Sequence, residues 1–156
     1  MTPSQLLQMH ARIAEELRSR EITRSENNPA GDYAEYLFCR AFGWKQAANS
    51  VKSYDALDAT SGARYQIKSR RLTERNTSRQ LSALRELDSD CFDYLAGVLF
   101  EVDFKVLKAA IISYENFLRD AKYGDRTNSW RYFLRDAVWT QSGTVDVTEE
   151  LRLATT

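Results

Sequence analysis

The sequence is short of the residues that most metal and nucleophile chemistry needs. Its 156 residues include one histidine, His10, and two cysteines, Cys39 and Cys91. A closed zinc site takes four ligands at characteristic spacings, and this set supplies neither the number nor the spacing. A Ser-His-Asp triad would have His10 as its sole base, and His10 stands in an ordinary amphipathic stretch. The six glycines never fall closer than twelve residues apart, so no GxxxxGK phosphate loop and no GxGxxG dinucleotide loop exists. No apolar run approaches the ~20 residues that span a bilayer. Charge of one sign is also missing. Lys plus Arg and Asp plus Glu both number 22, for a formal net charge of zero. That excludes a uniformly basic nucleic-acid binder and leaves a locally basic one. No apolar stretch follows a basic start at Met1–Gln5, so a cytoplasmic protein with reduced thiols and no membrane association is expected.

What is present suits one globular domain over residues 1–156, with 43% hydrophobic and 28% charged residues. Leu6, Met9, Ile13 and Leu17 recur at helical spacing and predict a helix over 3–20. A second helix is expected over 30–42, with Ala34, Leu37, Phe38 and Ala41 inward and Gly43 ending it. Two strands are expected at 53–60 and 63–70, around a Ser61-Gly62 turn. Residues 72–88 are polar and read as loop plus helix. Strands are then expected at 92–101 and 105–113, and a helix at 114–121 capped by Ser113. A strand near 131–139 and a helical turn at 148–152 complete the chain. The fold class is α/β, with a mixed central sheet that carries a hairpin and is flanked by helices.

If Ser61 and Gly62 close the hairpin, Asp55 lies opposite Lys68 and Leu57 opposite Gln66. Asp55, Gln66 and Lys68 then share one face, because alternate and directly opposed residues share a face. Tyr54, Ala56, Tyr65 and Ile67 take the other, core, face. Carboxylate and amide oxygens suit a hard divalent cation such as Mg²⁺. A lysine beside them can act on a water or stabilise charge on a phosphate. The set suits phosphodiester hydrolysis.

Asp55 followed after ten residues by Gln66-Ile67-Lys68 resembles the PD-(D/E)XK signature of restriction-endonuclease-like nucleases. Glu35, in Gly31-Asp32-Tyr33-Ala34-Glu35, resembles the acidic residue that many members carry on the helix before the catalytic hairpin. The expected order helix, strand, strand, strand, helix, strand is similar to that superfamily's core, over about 30–115. Tyr54 stands where the proline of the signature would be, and Gln66 where Asp or Glu is usual. The resemblance implies a restriction-endonuclease-like core with Glu35, Asp55, Gln66 and Lys68 as catalytic residues. It implies Mg²⁺ or Mn²⁺ on Asp55, Gln66 and Glu35, DNA as the partner, and a restriction, phage-defence or repair setting. One such site cuts one strand, so cleavage of both would favour a homodimer.

From Arg64 to Arg79 the chain carries Arg64, Lys68, Arg70, Arg71, Arg75 and Arg79 against one acid, Glu74. Guanidinium forks suit phosphate oxygens, so Arg64, Arg70, Arg71, Arg75 and Arg79 are the expected nucleic-acid contacts. Each feature has an ordinary explanation taken singly. Asp55 and Lys68 would make a cross-strand ion pair, Glu35 a solvated helix residue, and the arginines a solvated face. Cys39 and Cys91 read as small hydrophobes, and Trp44, Trp130 and Trp139 as core. Asp90, Asp93, Glu101 and Asp103 read as strand-end and turn residues. Three functions compete: a Mg²⁺-dependent endonuclease, a DNA-binding module without catalysis on the same fold, and a structural protein with an ion-paired hairpin.

Overall fold

A computed structural model describes residues 1–51, 53–85, 87 and 91–156. Thr2 opens the first helix, α1 (Pro3–Ser19), with a capping box to Gln5. Asn28 caps α2 (Pro29–Phe42) by accepting from Ala30 N–H, and Gly43 ends it in the left-handed region. Short strands β1 (Lys45–Gln46) and β2 (Ala56–Leu57) follow, then the long β3 (Arg64–Arg71). Next come β4 (Tyr94–Phe100), β5 (Val106–Ser113) and α3 (Tyr114–Asp120), which Ser113 caps as expected. A small hairpin of β6 (Lys122–Gly124) and β7 (Ser129–Arg131), then β8 (Thr144–Asp146) and α4 (Thr148–Ala154), complete the order.

Six strands form one mixed sheet in the order β1-β2-β3-β4-β5-β8. All neighbours are antiparallel except β3 and β4, which run parallel. β4 is buried on both faces, which is why its sequence, YLAGVLF, is a continuous apolar run without alternation. One face carries Leu37 and Phe38 of α2 and Leu151 of α4 against Ile67, Val98 and Phe100. The other carries Leu81, Leu84, Phe117 and Leu134 against Leu95 and Leu99. No helix among the described residues is long and apolar enough to cross a membrane.

One helix, α1, forms as expected, with its stripe of Leu6, Met9 and Ile13 exposed and no residue buried. Three expectations change. The expected strand at 53–60 shrinks to Ala56–Leu57, and the unforeseen β1 pairs with it. The described part of 72–88 contains no helix. Leu81 and Leu84, three apart, are instead held by backbone bonds: Leu81 N–H to Tyr132 C=O at 2.9 Å, and Leu84 with Trp130 in both directions at 3.0 and 2.7 Å. The expected strand at 131–139 becomes β7, an extended piece paired with 79–84, and a 3₁₀ turn at Asp136–Thr140.

That extended piece is core. Leu134 is fully buried, and its Cδ2 lies 3.2 Å from where a Cβ on Gly97 would stand. Leu134→Ala is expected to cost about 2–5 kcal/mol in urea unfolding, as for other buried leucines. A loss below about 1 kcal/mol would mean that the segment is not packed as described.

Candidate active site at the β2–β3 hairpin

The hairpin closes through four residues, not two. Asp58 N–H donates to Ala63 C=O at 2.9 Å, and Gly62 N–H to Asp58 C=O at 2.8 Å. The Asp58 carboxylate accepts from Thr60 N–H at 2.9 Å, and Gly62 takes a φ of +76°, which a glycine adopts without strain. The registered pairs are Ala56 with Tyr65 and Leu57 with Arg64. This corrects the expected pairing by two residues: Leu57 does not face Gln66, and Asp55 does not face Lys68. A shift of two keeps every β3 side chain on its face. Gln66 and Lys68 therefore still project together, while Ala56, Tyr65 and Ile67 share a core face. Tyr54, expected on that face, packs against the opposite core, because the strand begins only at Ala56.

Asp55 sits where the ladder between β2 and β3 opens. Its backbone N–H still donates to Tyr65 C=O at 2.8 Å. Its carboxylate then takes over the role of the missing strand: Oδ2 accepts from Ile67 N–H at 2.7 Å. Ile67 lies between Gln66 and Lys68, so one hydrogen bond fixes the acid beside both side chains. The Asp55 pKa is raised, first by burial. The Ile67 N–H and the charges of Lys68 and Arg24 oppose the rise.

The remaining polar groups are unspent. The Gln66 side chain is 9% exposed and makes no hydrogen bond to any described residue. The half-buried Lys68 has no ion pair within 4 Å among the described residues, so the cross-strand ion pair with Asp55 is not formed. The polar atoms of Gln66 and Lys68 are not sealed from solvent: the fully buried side-chain atoms without a partner among the described residues are Tyr132 Oη, Gln141 Oε1 and Thr144 Oγ1. Glu35 approaches Asp55 from α2. Its pKa is raised, first by burial and then by the Asp55 charge, against hydrogen bonds from Gln46 and Arg24. Glu35 Oε2 accepts from Gln46 Nε2 at 2.7 Å and from Arg24 Nη2 at 3.0 Å. Glu35 is thus not a solvated helix residue. Arg24, eleven residues before it, carries no motif that marks it in the sequence.

Two half-buried acids that hold protons more tightly folded than unfolded imply a pH dependence. Between the unfolded value, about 4, and the raised folded value, the folded state binds more protons, and stability falls as pH rises. Asp55→Asn keeps an acceptor for Ile67 N–H and removes the charge. Its melting temperature relative to wild type is expected to rise from pH 4 towards 7 and to level off below 4. A difference independent of pH would contradict the raised pKa.

The arginine run is divided by partners distant in sequence. Asp93 accepts from Arg64 at 3.2 Å through both Nε and Nη2, and Asp136 accepts from Arg79 Nη1 at 2.6 Å. Those arginines hold both acids' pKa values below the ordinary carboxylate range. Arg70 Nε bonds Gln80 C=O, and Arg71 Nε bonds Val102 C=O at 2.8 Å while its guanidinium stacks on Phe104. Neither has a carboxylate partner among the described residues, and Arg75 is exposed. Of the strand-end acids, Asp103 pairs with Lys105 at 3.0 Å, and Asp90 lies outside the described residues. Cys91 and Trp44 are buried as expected. Cys39 is half-buried, with burial pushing its thiol to about 11.

Among the described residues, no three or more His, Cys, Asp or Glu side chains gather where they could hold a metal ion. Mg²⁺ needs less, since it commonly binds one or two carboxylates and fills its shell with waters and substrate phosphate. The second oxygens of Asp55 and Glu35 make no hydrogen bond to a described residue, and neither does the Gln66 amide. They are hard oxygen donors of the kind such a cation takes. A larger cleft of about 670 Å³, lined by Leu17, Ile22, Tyr33 and Phe104, shares none of these residues. No family model matches the sequence, and no curated protein matches it.

Proposed function

We propose that this chain is a divalent-metal-dependent endonuclease that hydrolyses DNA phosphodiester bonds on a restriction-endonuclease-like core of the PD-(D/E)XK kind. The observation that carries the reading is the Asp55 carboxylate held on Ile67 N–H, between an uncommitted buried amide and an uncommitted ammonium. Asp55 and the Gln66 amide oxygen would hold the Mg²⁺ or Mn²⁺, with Glu35 holding a metal-bound water or a second ion. The metal would supply charge neutralisation and an acidified water. Lys68 would orient a water or stabilise charge on the phosphate. Arg24 balances the two acids. The parallel β3–β4 pair and helices on both faces support the core assignment, although the described crossover between those strands is irregular where the superfamily has a helix. A restriction, phage-defence or repair role goes with that assignment, and cutting both strands would call for two copies. Plasmid nicking with Mg²⁺ or Mn²⁺ against EDTA tests the reading.

The second reading, a DNA-binding module that has lost hydrolysis, rests on Gln66 in place of an acid and on Arg24 holding one Glu35 oxygen. Both readings require phosphate contacts, and the ion pairs of Arg64 and Arg79 leave Arg70, Arg71 and Arg75 to make them. Replacing these three by alanine is expected to weaken DNA binding and flatten its salt dependence by about 0.9 in log–log slope per lost contact. Arg64→Ala and Arg79→Ala should change the slope by less. Anisotropy titrations across salt concentrations check both, and an unchanged slope in the triple variant would make the run a solvated face.

A further inference from the structure

The edge of β3 beyond Tyr65 has no ladder partner on the β2 side. Opposite that open edge stands the first turn of α2. A polar cleft of about 470 Å³ lies between them, lined by Gly31, Ser69, Arg70, Arg71, Thr73 and Asn76 among others, with no carboxylate in its lining. Pro29 has no N–H, and Ala30 N–H is spent on Asn28 Oδ1 at 3.0 Å, which leaves Gly31 N–H as an unspent first-turn donor. Gly31 lines the cleft, and a Cβ there would meet nothing within 4 Å, so a side chain at this position has open space. Two acids adjoin lining residues in the chain, Asp32 beside Gly31 and the exposed Glu74 beside Thr73. Asp32 Oδ2 is engaged, accepting from the Arg24 and Ser25 N–H groups at 2.8 Å and from the Ser25 hydroxyl at 2.9 Å. A second observation is independent of the helix end. Ser69 is only 8% exposed, lines the cleft, and its hydroxyl makes no hydrogen bond to any described residue.

We infer that this cleft binds a phosphate group of a nucleic-acid strand, through the α2 N-terminus, the Ser69 hydroxyl and the N–H groups that Arg70 and Arg71 keep beyond their Nε bonds to Gln80 C=O and Val102 C=O. Helix N-termini and guanidinium forks both favour phosphate oxygens. Ser69 and Arg71 lie one and three residues along β3 from Lys68, within about 10 Å at strand rise. The phosphate held here therefore belongs to a nucleotide close to the one cut. The ligand's identity rests on the nuclease reading, while the phosphate site itself does not. Either an internal phosphodiester or a strand-terminal phosphate supplies the chemistry.

Amide chemical shifts of the full chain in EDTA provide the test, so that no cleavage intervenes. The probes are orthophosphate and short single-stranded DNA with a 5′-hydroxyl or a 5′-phosphate, against chloride at equal ionic strength. Saturating shifts at Gly31, Ser69 and Arg71 are expected. Equal shifts with both oligonucleotides identify an internal phosphodiester, whereas shifts with orthophosphate and the 5′-phosphate strand alone identify a terminal one. Gly31→Glu fits the open space, suits a helix first turn and places a carboxylate in the cleft. It should weaken oligonucleotide binding by tenfold or more. Ser69→Ala should weaken it by a fewfold. Phosphate that leaves these amides unmoved, or Gly31→Glu that binds as wild type, overturns the inference. Shifts at Gly31 in a protein that never cleaves would sustain the phosphate site and defeat the nuclease reading alone.

Discussion

Asp55→Ala is expected to reduce divalent-dependent DNA cleavage by at least about 10²–10³-fold, the usual loss when one group that stabilises developing charge is removed. The effect is large because Asp55 has two duties. Its Oδ2 closes the opened ladder at Ile67 N–H, and its other oxygen, which has no hydrogen bond to a described residue, would hold the cation in the proposed reading. DNA binding should be kept or improved, since a negative charge beside the phosphate path is removed. Melting curves separate lost chemistry from lost structure, and Asp55→Asn, which retains an acceptor for Ile67, should stay folded and equally inactive. An Asp55→Ala protein that cuts like wild type would remove this residue from the mechanism.

Gln66→Glu has the second largest expected effect, and its sign depends on metal. Without a cation, the change places a third acid beside Asp55 and Glu35, whose pKa values burial already raises. An added buried charge with incomplete hydrogen bonding costs at least about 1–3 kcal/mol. At this chain length that is about 3–10 °C of melting temperature. Lys68 on the same face limits the loss. With Mn²⁺ at about 100 times its dissociation constant, binding returns about 2.7 kcal/mol. The variant should therefore melt below wild type in EDTA, at or above it in Mn²⁺, and cleave at least as well. A melting temperature indifferent to Mn²⁺ in both proteins would argue for an ion-free polar surface.

The legible parts of this molecule were those that depend on period, and the illegible parts depended on partners distant in sequence. β3 alternation put Gln66 and Lys68 on one face whatever the register, so the two-residue error at the turn did not change which side chains project together. The register itself was hidden because Asp58 and Gly62 close a four-residue loop that competes with the simpler Ser61-Gly62 turn. Leu81 and Leu84 have helical spacing, but their backbones are captured by Tyr132 and Trp130, about fifty residues on. The local charge of the arginine run overstated its free cations, because Asp93 and Asp136 lie 29 and 57 residues from their partners. Arg24 and Gln46 on Glu35, and Ser69 beneath the α2 end, carry no sequence signal, since a hydrogen-bond partner or a cleft exists only after folding.

The most direct measurement is conversion of supercoiled plasmid by purified wild-type protein in Mg²⁺, Mn²⁺ or EDTA, with Asp55→Ala alongside. Nicked or linear product with either metal, none in EDTA and none from Asp55→Ala is the predicted result. Mn²⁺ should work better, because Gln66 leaves the proposed coordination one carboxylate short and Mn²⁺ tolerates imperfect coordination more readily. Plasmid left intact in both metals, or cut equally by Asp55→Ala, would contradict the assignment of this hairpin as a nuclease active site.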